Sequence, residues 1–262
     1  MTRSDFQTYL RDLGVKEIPP RLSPFDPGYD AVTLEAHLAQ SAHLIEILKI
    51  SMASWLVADE TVSRSKFEAA RRFGVRTTVG GGPFEIAVAQ GRLFDYLDLV
   101  ADVGATRLEC GEGFTELTLT PEELVAAAAE RGLEVQFELG KKHGGAFEAD
   151  TVDALIDTAK RWLAAGARQV VVEARESASG VGVFDESGRL NGKLADRLAE
   201  ALGLQTAVFE APNKPSQFAL LDHFGPEVHL CNVRLEEILR VEIYRRGLHS
   251  DSFGNRRLAP AS

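Results

Sequence analysis

Four short apolar runs in this chain each lead directly into a glutamate, and this repeat constrains the fold more than any other feature. Short, continuous apolar or β-branched runs are typical of buried parallel strands. Successive glutamates are separated by roughly 30–40 residues, about the length of one strand, loop and helix. Because parallel strands of one sheet end at the same edge, the repeat predicts a single (β/α)8 TIM barrel with its active site at the C-terminal ends of the strands. The glutamates are Glu109, Glu138, Glu173 and Glu210.

The chain length and the regular alternation of predicted strands and helices favour one domain. A chain of 262 residues has the usual size for one such barrel. Residues 31–262 are predicted to form the (β/α)8 barrel, and residues 1–30 an irregular N-terminal segment that belongs to it. Four prolines there prevent a long helix, and a first barrel strand is hard to recognise. These prolines are Pro19, Pro20, Pro24 and Pro27.

The charge balance and the distribution of apolar residues limit the kinds of partner that the sequence predicts. The chain has 29 Lys and Arg against 39 Asp and Glu, a formal net charge of −10. No basic block is present, so neither nucleic acid nor a membrane is an expected partner, whereas small anionic substrates would need locally concentrated Lys and Arg. No apolar stretch approaches the roughly 20 residues of a membrane span, and residues 1–6 lack the apolar run of a signal peptide, so a cytoplasmic location is expected. A homo-oligomer is compatible with the sequence, which leaves the oligomeric state open.

The four glutamates suggest a metal site. Like charges that converge on one mouth raise one another's pKa unless a cation compensates them. Carboxylate oxygens are the ligands that Mg²⁺ prefers, so Glu109, Glu138, Glu173 and Glu210 are candidate ligands. The alternative is that each glutamate is a structural residue paired with a neighbouring Lys or Arg. No Cys and His cluster has zinc spacing, and Cys110 and Cys231 are predicted to be buried free thiols.

Two lysines follow Glu138 directly and are candidates for acid–base chemistry. Strand alternation places Lys142 on the same face as Glu138 and turns Lys141 away, so Lys142 is the preferred proton donor. A bulge at Gly140 would exchange the two, because one extra residue flips every side chain after it. A solvated pair of loop lysines is the simpler alternative. By the same alternation, Arg175 shares the inward face of Glu173 and suits bidentate binding of an anion.

The segment Gly80–Gly82 lies between a predicted strand and a predicted helix. Backbone amides at such a junction can hold an anion, although a plain tight turn explains the glycines equally well.

Several motifs taken together resemble the phosphosulfolactate synthase family, over roughly residues 40–254. Each motif is unspecific alone, but their combination and order are specific. They are Gly81-Gly82 with Phe84-Glu85, Glu138-Leu139-Gly140-Lys141-Lys142, Glu173-Ala174-Arg175-Glu176-Ser177 with Gly180, Gly182, Phe184 and Asp185, Phe209-Glu210-Ala211-Pro212-Asn213-Lys214, and Arg245-Arg246-Gly247-Leu248 with Asp251, Phe253 and Gly254.

The resemblance implies a Mg²⁺-dependent Michael-type addition of sulfite to phosphoenolpyruvate. Sulfite would attack the methylene carbon, and the metal would stabilise the charge that develops on the substrate carboxylate. Lys142 or Lys141 would protonate the neighbouring carbon, with Arg175 as a third catalytic residue. Substrate binding would fall to the following residues: Lys49, Gly81, Gly82, Arg175, Ser177, Asn213, Lys214 and Arg234.

The first half of the chain departs from the family pattern. An Asp-Lys-Gly stretch is missing from the first-strand region, and Lys49 is followed by Ile50-Ser51-Met52 instead of a Gly-Trp-Gly loop. Gly80-Gly81-Gly82-Pro83 replaces Pro-Gly-Gly-Thr, and Gly111-Glu112-Gly113 replaces Ser-Asp-Gly. These changes predict poor or altered use of sulfite and phosphoenolpyruvate. The alternative function is a diverged, non-catalytic member that acts as a stress-related or binding protein.

Overall fold

Eight parallel strands close into a barrel in sequence order, which confirms the predicted (β/α)8 fold. The structure, a computed structural model, describes residues 5–258. Every strand is hydrogen-bonded to its sequence neighbours, and β8 closes the ring on β1. The strands are β1 Leu22–Asp26, β2 Ile47–Ile50, β3 Arg76–Val79, β4 Arg107–Gly111, β5 Glu134–Leu139, β6 Gln169–Val172, β7 Ala207–Glu210 and β8 His229–Arg234.

Helices alternate with the strands and cover the barrel from outside. Their starts follow ordinary capping chemistry: Thr120 and Glu123 form a reciprocal capping box at one of them,. The helices are α1 Asp5–Asp12, α2 Ala31–Ser41, α3 Ser54–Val57, α4 Glu60–Arg72, α5 Gly81–Ala89, α6 Leu93–Asp102, α7 Pro121–Ala129, α8 Val152–Ala165, α9 Gly192–Leu202, α10 Lys214–Phe224 and α11 Ile238–Arg245, with short 3-10 turns at Ala42–Leu44, Leu235–Glu237 and Ser250–Ser252.

The N-terminal segment is more ordered than the expectation of an irregular segment over residues 1–30. Helix α1 and strand β1 both lie within that range, and residues 1–4 are outside the described part. Strand β1 contains Pro24, and its register against β8 shifts between Ser23 and Pro24. Proline cannot donate to a sheet ladder and is tolerated at such an irregularity. Pro24 and the polar Ser23 interrupt the short apolar run by which a strand would be recognised in the sequence.

The barrel interior begins with a buried polar network at the N-terminal ends of the strands. Arg107 Nη1 donates to Gln169 Oε1 at 2.6 Å, and Gln169 Nε2 lies 3.2 Å from His229 Nδ1. His229 Nε2 lies 2.8 Å from Ser23 Oγ, and Arg107 Nη1 also donates to Gln136 Oε1 at 3.3 Å. All five residues are buried, so these hydrogen bonds offset the cost of removing polar groups from water.

A small apolar cluster lies inside the barrel between this network and the charged residues at the carboxyl ends of the strands. It consists of Val171, Val208 and Cys231. Because inward-facing residues recur every second position, Glu173 follows Val171 and Glu210 follows Val208 at the carboxyl ends of their strands. The strand period thus delivers acids to one end of the barrel.

Cys110 and Cys231 are both buried free thiols, as predicted. Among residues 5–258, no helix is both long and apolar enough to cross a membrane.

Candidate active site

A cavity of about 1220 Å³ opens at the carboxyl ends of the strands. Its floor carries the four glutamates of the sequence repeat, and all four are buried. Two lysines, Lys49 and Lys142, also line it. The predicted convergence of these acids on one end of the barrel is therefore what the structure shows.

Glu109 forms a buried ion pair with Lys49. Lys49 Nζ lies 2.7 Å from Glu109 Oε2 and 2.9 Å from Oε1. The backbone amide of Gly81 donates to Oε1 at 3.1 Å, and Gln136 Nε2 donates to Oε2 at 2.8 Å. Burial opposes the charged form of Lys49, but Glu109 together with other acidic groups such as Glu210 and Glu138 outweighs burial and raises the pKa of this lysine,. The Glu109 carboxylate therefore already has a cation and two further donors.

Lys142 lies between two other glutamates. Its Nζ is 2.5 Å from both Glu138 Oε1 and Glu173 Oε2. Burial works against its charge, but the two carboxylates raise the pKa of Lys142 above its ordinary value. Burial also opposes ionisation of Glu173, yet the ammonium of Lys142 lowers the pKa of Glu173 to about 2. For Glu138, burial and the neighbouring acids dominate and raise its pKa to about 8.

The two candidate lysines differ as the sequence predicts, although not for the predicted reason. Lys142 points into the mouth and Lys141 is exposed. Strand β5 ends at Leu139, so alternation along the strand does not orient Lys142. Its backbone amide instead donates to Gly113 O at 3.0 Å, and a Cβ on Gly113 would lie 2.8 Å from Lys142 Cγ. A glycine in the loop after β4 thus leaves room for the lysine.

The Glu210 carboxylate binds backbone amides, whereas the other three glutamates are paired with lysines. Its Oε2 accepts from the amides of Ala174 at 2.8 Å and Arg175 at 2.9 Å, and its Oε1 accepts from Asn232 Nδ2. Burial, then the charges of other glutamates such as Glu173, raise the pKa of Glu210 well above its ordinary value. This carboxyl therefore anchors the loop that follows β6.

Arg175 is not on the inward face with Glu173, which corrects the prediction from strand alternation. Strand β6 ends at Val172, and Arg175 adopts a left-handed conformation with φ 55°. Its side chain is exposed at the cavity rim, where Nη1 donates to Lys142 O at 2.9 Å. Alternation fails here because the chain leaves the sheet between the two residues.

Gly81, Gly82, Ser177 and Arg234 also line the cavity. The two glycines form the first turn of α5, whose amino end faces the cavity. Arg234 Nε donates to Glu236 Oε1 at 2.5 Å, and its guanidinium lies 5.8 Å from the centre of the Phe25 ring.

Two predicted substrate ligands are not brought to the described lining of the cavity. Asn213 caps α10, and its Nδ2 donates to Ser177 O at 2.8 Å. Lys214 Nζ lies 3.2 Å from Asp251 Oδ2 and 5.0 Å from the centre of the Phe218 ring. Lys214 therefore interacts with Asp251 and Phe218, outside the described lining of the cavity.

Sequence reasoning missed several residues that organise the site. Gln136 precedes Glu138 by two positions, so the strand period alone could have placed it on the inner face. Asn232 has φ 53°, and asparagine is among the few residues that tolerate this conformation. A polar asparagine within the strand His229–Arg234 is the one sequence signal at this position, and it does not indicate the hydrogen bond to Glu210. The role of Gly113 depends on a contact with Lys142, which the sequence does not contain.

The carboxylates do not form a ready-made metal cage. Among residues 5–258, no group of three or more His, Cys, Asp or Glu side chains is arranged to hold a metal ion. The expected common ligand set of four glutamates is therefore divided between two lysines and the backbone.

The donor set nevertheless fits an ion that shares its shell with a substrate. Mg²⁺ usually binds through one or two carboxylates together with substrate phosphates and water. The described lining contains five acids, Glu109, Glu138, Glu173, Glu176 and Glu210, and four basic side chains, Lys49, Lys142, Arg175 and Arg234, so ionisation of all the acids leaves an excess of negative charge. Burial, and then the charges of neighbouring acids, raise the pKa values of Glu138 and Glu210,. A divalent cation would compensate this excess.

Comparison with known proteins gives a consistent family match. The model of a family described as (2R)-phospho-3-sulfolactate synthase (ComA) matches residues 20–251. A phosphosulfolactate synthase from Methanocaldococcus jannaschii is 30% identical over 251 residues, covering 95% of this chain and 96% of the relative. Another, from Bacillus subtilis, is 26% identical over 231 residues, covering 87% and 90%. Among solved structures, dihydropteroate synthase from Thermus thermophilus aligns with a TM-score of 0.51 at 20% identity, covering 86% of this chain and 93% of that one, which shows the fold alone.

Proposed function

Because this chain belongs to the phosphosulfolactate synthase family, we propose that it adds sulfite, or a related nucleophile, to phosphoenolpyruvate or a related unsaturated acid in a Mg²⁺-dependent reaction. The family resemblance inferred from the motifs is confirmed, and with it the class of a lyase-type enzyme that acts on carbon–sulfur bonds. The match favours an enzyme over the non-catalytic alternative. The identity of the substrates and the need for Mg²⁺ belong to the proposal.

The observation that carries the proposal is the position of Lys142 between Glu138 and Glu173 in the mouth. In the proposed reaction, a sulfur lone pair forms the new bond to the methylene carbon. The π pair of the carbon–carbon double bond moves toward the substrate carboxylate, and the neighbouring carbon then takes one proton. Lys142 carries that proton, and solvent restores it after product leaves.

The surroundings of Lys142 suit a proton donor for this carbon. Its two carboxylate partners keep the amine protonated near neutral pH and fix Nζ in one place,. A raised pKa makes a weaker acid, but a carbon with enolate character is a much stronger base than an amine. Proton transfer therefore remains favourable, and general acids of this kind contribute typically 10²–10⁴-fold to a rate.

Other residues would bind the anions and the metal. Lys49, Arg175 and Arg234 line the cavity, and the amino end of α5 adds oriented backbone dipoles. Mg²⁺, when bound, would neutralise charge that develops on the substrate carboxylate. Glu138 and Glu210 would hold it, since both line the cavity and a bound cation would favour the ionised forms of these two acids, whose pKa values are raised by burial and by neighbouring acids,.

Small anions are accordingly the proposed partners of this acidic protein. Local cations in the mouth would attract them despite the net charge of −10,. A homo-oligomer stays a prediction from the sequence.

A single incubation tests the proposed function. The protein is mixed with Mg²⁺, sulfite and a panel of enolpyruvates and other unsaturated acids, and products are identified by mass spectrometry. We expect one acceptor to gain the mass of sulfite, with poor or altered use of phosphoenolpyruvate. Chelation of the metal should abolish that product. Absence of any sulfonate product across the panel would contradict the proposal.

A further inference from the structure

The first three strands and their loops give the cavity a wall unlike the rest of it. We call this surface the apolar wall: Phe25, Met52, Ala53, Pro83 and Ile86. Among the described residues that line the cavity, β1 to β3 and their loops add one charged side chain, Lys49. That lysine is buried and paired with Glu109. The apolar wall itself therefore presents no charged side chain to the cavity.

The apolar wall is held by close packing of backbone. Met52 has φ 50°, an uncommon conformation for a residue with a side chain,. A Cβ on Gly80 would lie 3.1 Å from Met52 N, so the absence of a side chain at Gly80 lets the loop after β2 pack against β3. Met52 is 62% exposed and Ile86 57% exposed, and both line the cavity. Large apolar side chains left accessible inside a cavity mark a surface that a ligand can cover.

The cavity has room beyond that needed by the default substrates. Phosphoenolpyruvate and sulfite together have roughly 14 heavy atoms, which fill at most roughly 420 Å³ at the ~30 Å³ of a water molecule. The cavity volume is about 1220 Å³. Most of the space therefore remains after both default substrates are bound, and part of it is bounded by the apolar wall.

On these grounds, and resting on the proposed function, we propose that the acceptor is an unsaturated acid that carries an apolar substituent of several carbons. The carboxylate and the reacting double bond lie toward Lys142 and the glutamates, and the substituent packs on Met52 and Ile86. The electron and proton balance is that of the proposed reaction, since the substituent takes no part in it. Methionine suits such a contact, because its flexible side chain adapts to irregular apolar shapes.

Binding of unreactive analogues tests the apolar wall separately from catalysis. The probes are saturated 2-phosphonooxyalkanoates of three to seven carbons, titrated calorimetrically into the protein with Mg²⁺. Each buried methylene contributes about 0.8 kcal/mol, so we expect affinity to rise roughly fourfold per added carbon. In Met52→Ser/Ile86→Ser this increment should shrink to less than about twofold. Both side chains are largely accessible, so the double variant should fold.

A matched control is Ile243→Ser, which changes an apolar residue that is 42% exposed on α11, outside the described lining of the cavity. It should keep the wild-type dependence on chain length. Affinity that stays flat or falls with chain length would overturn the apolar substituent and leave the proposed function intact if phosphoenolpyruvate is converted.

The kinetic counterpart compares sulfite addition to phosphoenolpyruvate and to longer enol phosphates of the same series. We expect kcat/KM to be at least about tenfold higher for a longer acceptor, the gain from two buried methylenes. Rising affinity without a sulfonate product from any acceptor would overturn the acceptor assignment together with the proposed function. Preference for phosphoenolpyruvate over every longer acceptor would overturn the acceptor assignment alone.

Discussion

The two halves of the cavity are built by opposite means. Strands β4 to β7 and their loops supply most of the charged side chains, and ion pairs hold those at the floor of the cavity, as Lys142 is held by Glu138 and Glu173. Strands β1 to β3 supply the apolar wall, positioned by backbone packing such as that of Met52 against Gly80. Most of the family motifs lie in the charged half, and most of the departures from them lie in the apolar half, although Gly81-Gly82 and Gly111-Glu112-Gly113 are exceptions. We infer that the charged half performs the chemistry and that the apolar half selects the acceptor.

The largest expected effect comes from breaking the charged half at its centre. Lys142→Ala should lower kcat by about 10²–10⁴-fold, because it removes the proposed proton donor. Lys141→Ala is the matched control, since Lys141 is exposed, and it should change kcat by less than about threefold. Turnover of both variants is measured on the acceptor found by the panel, with circular dichroism to verify folding. Nearly full activity in both would show that no lysine of this pair donates the proton.

The polar network beneath the charged half gives the next effect. Gln136→Leu removes the amide that joins Arg107 to Glu109. It leaves buried charged groups with fewer partners, so the free energy of unfolding should fall by about 1–3 kcal/mol. Urea denaturation measures it, and Gln90→Leu, at an exposed position, should change it by less than about 0.5 kcal/mol. Unchanged stability in Gln136→Leu would mean that the network does not support the charged half.

The same network predicts a dependence of stability on pH. Burial, and then the nearby Arg21 and Arg107 charges, lower the pKa of His229 to about 3. The native protein keeps this histidine neutral, whereas the unfolded chain protonates it near pH 6.5. Its contribution is therefore fully present above about pH 6.5 and is lost as pH falls toward 3, by up to about 1.4 kcal/mol per unit.

Denaturation curves between pH 7 and pH 4 check this contribution. His229→Gln should show a shallower loss of stability than the wild type over that range. The control His43→Gln changes an exposed histidine and should follow the wild type. Parallel curves for His229→Gln and the wild type would exclude His229 as a source of the dependence.

The smallest effects separate residues at the cavity from residues that only resemble ligands in the sequence. Arg234→Ala should raise the KM for an anionic acceptor by roughly tenfold, the effect of losing one hydrogen bond to a charged group. Lys214→Ala should change KM by less than about twofold, because Lys214 is paired with Asp251 outside the cavity lining. Steady-state kinetics of the two variants measure these KM values. A larger increase of KM in Lys214→Ala than in Arg234→Ala would show that Lys214 binds the substrate.

The sequence alone determined the barrel, the convergence of its acids and the family. These follow from local rules, since apolar runs repeat at the length of a strand and helix, and inward residues recur every second position. The same rule identified Glu138, Glu173 and Glu210 as residues of one mouth. It could not reveal β1, because Pro24 interrupts the pattern at an irregularity in register.

Only the tertiary structure decided which lysine pairs with which glutamate. Lys49 pairs with Glu109, sixty positions along the chain, because the closed barrel places β2 and β4 around one interior. Alternation ends where a strand ends, so it misplaced Arg175, which turns away after Val172 with φ 55°. The apolar wall likewise exists only when strand β1, the loop after β2 and helix α5 meet. Local periodicity sets which side chains point inward, whereas register and loop packing set which of them touch.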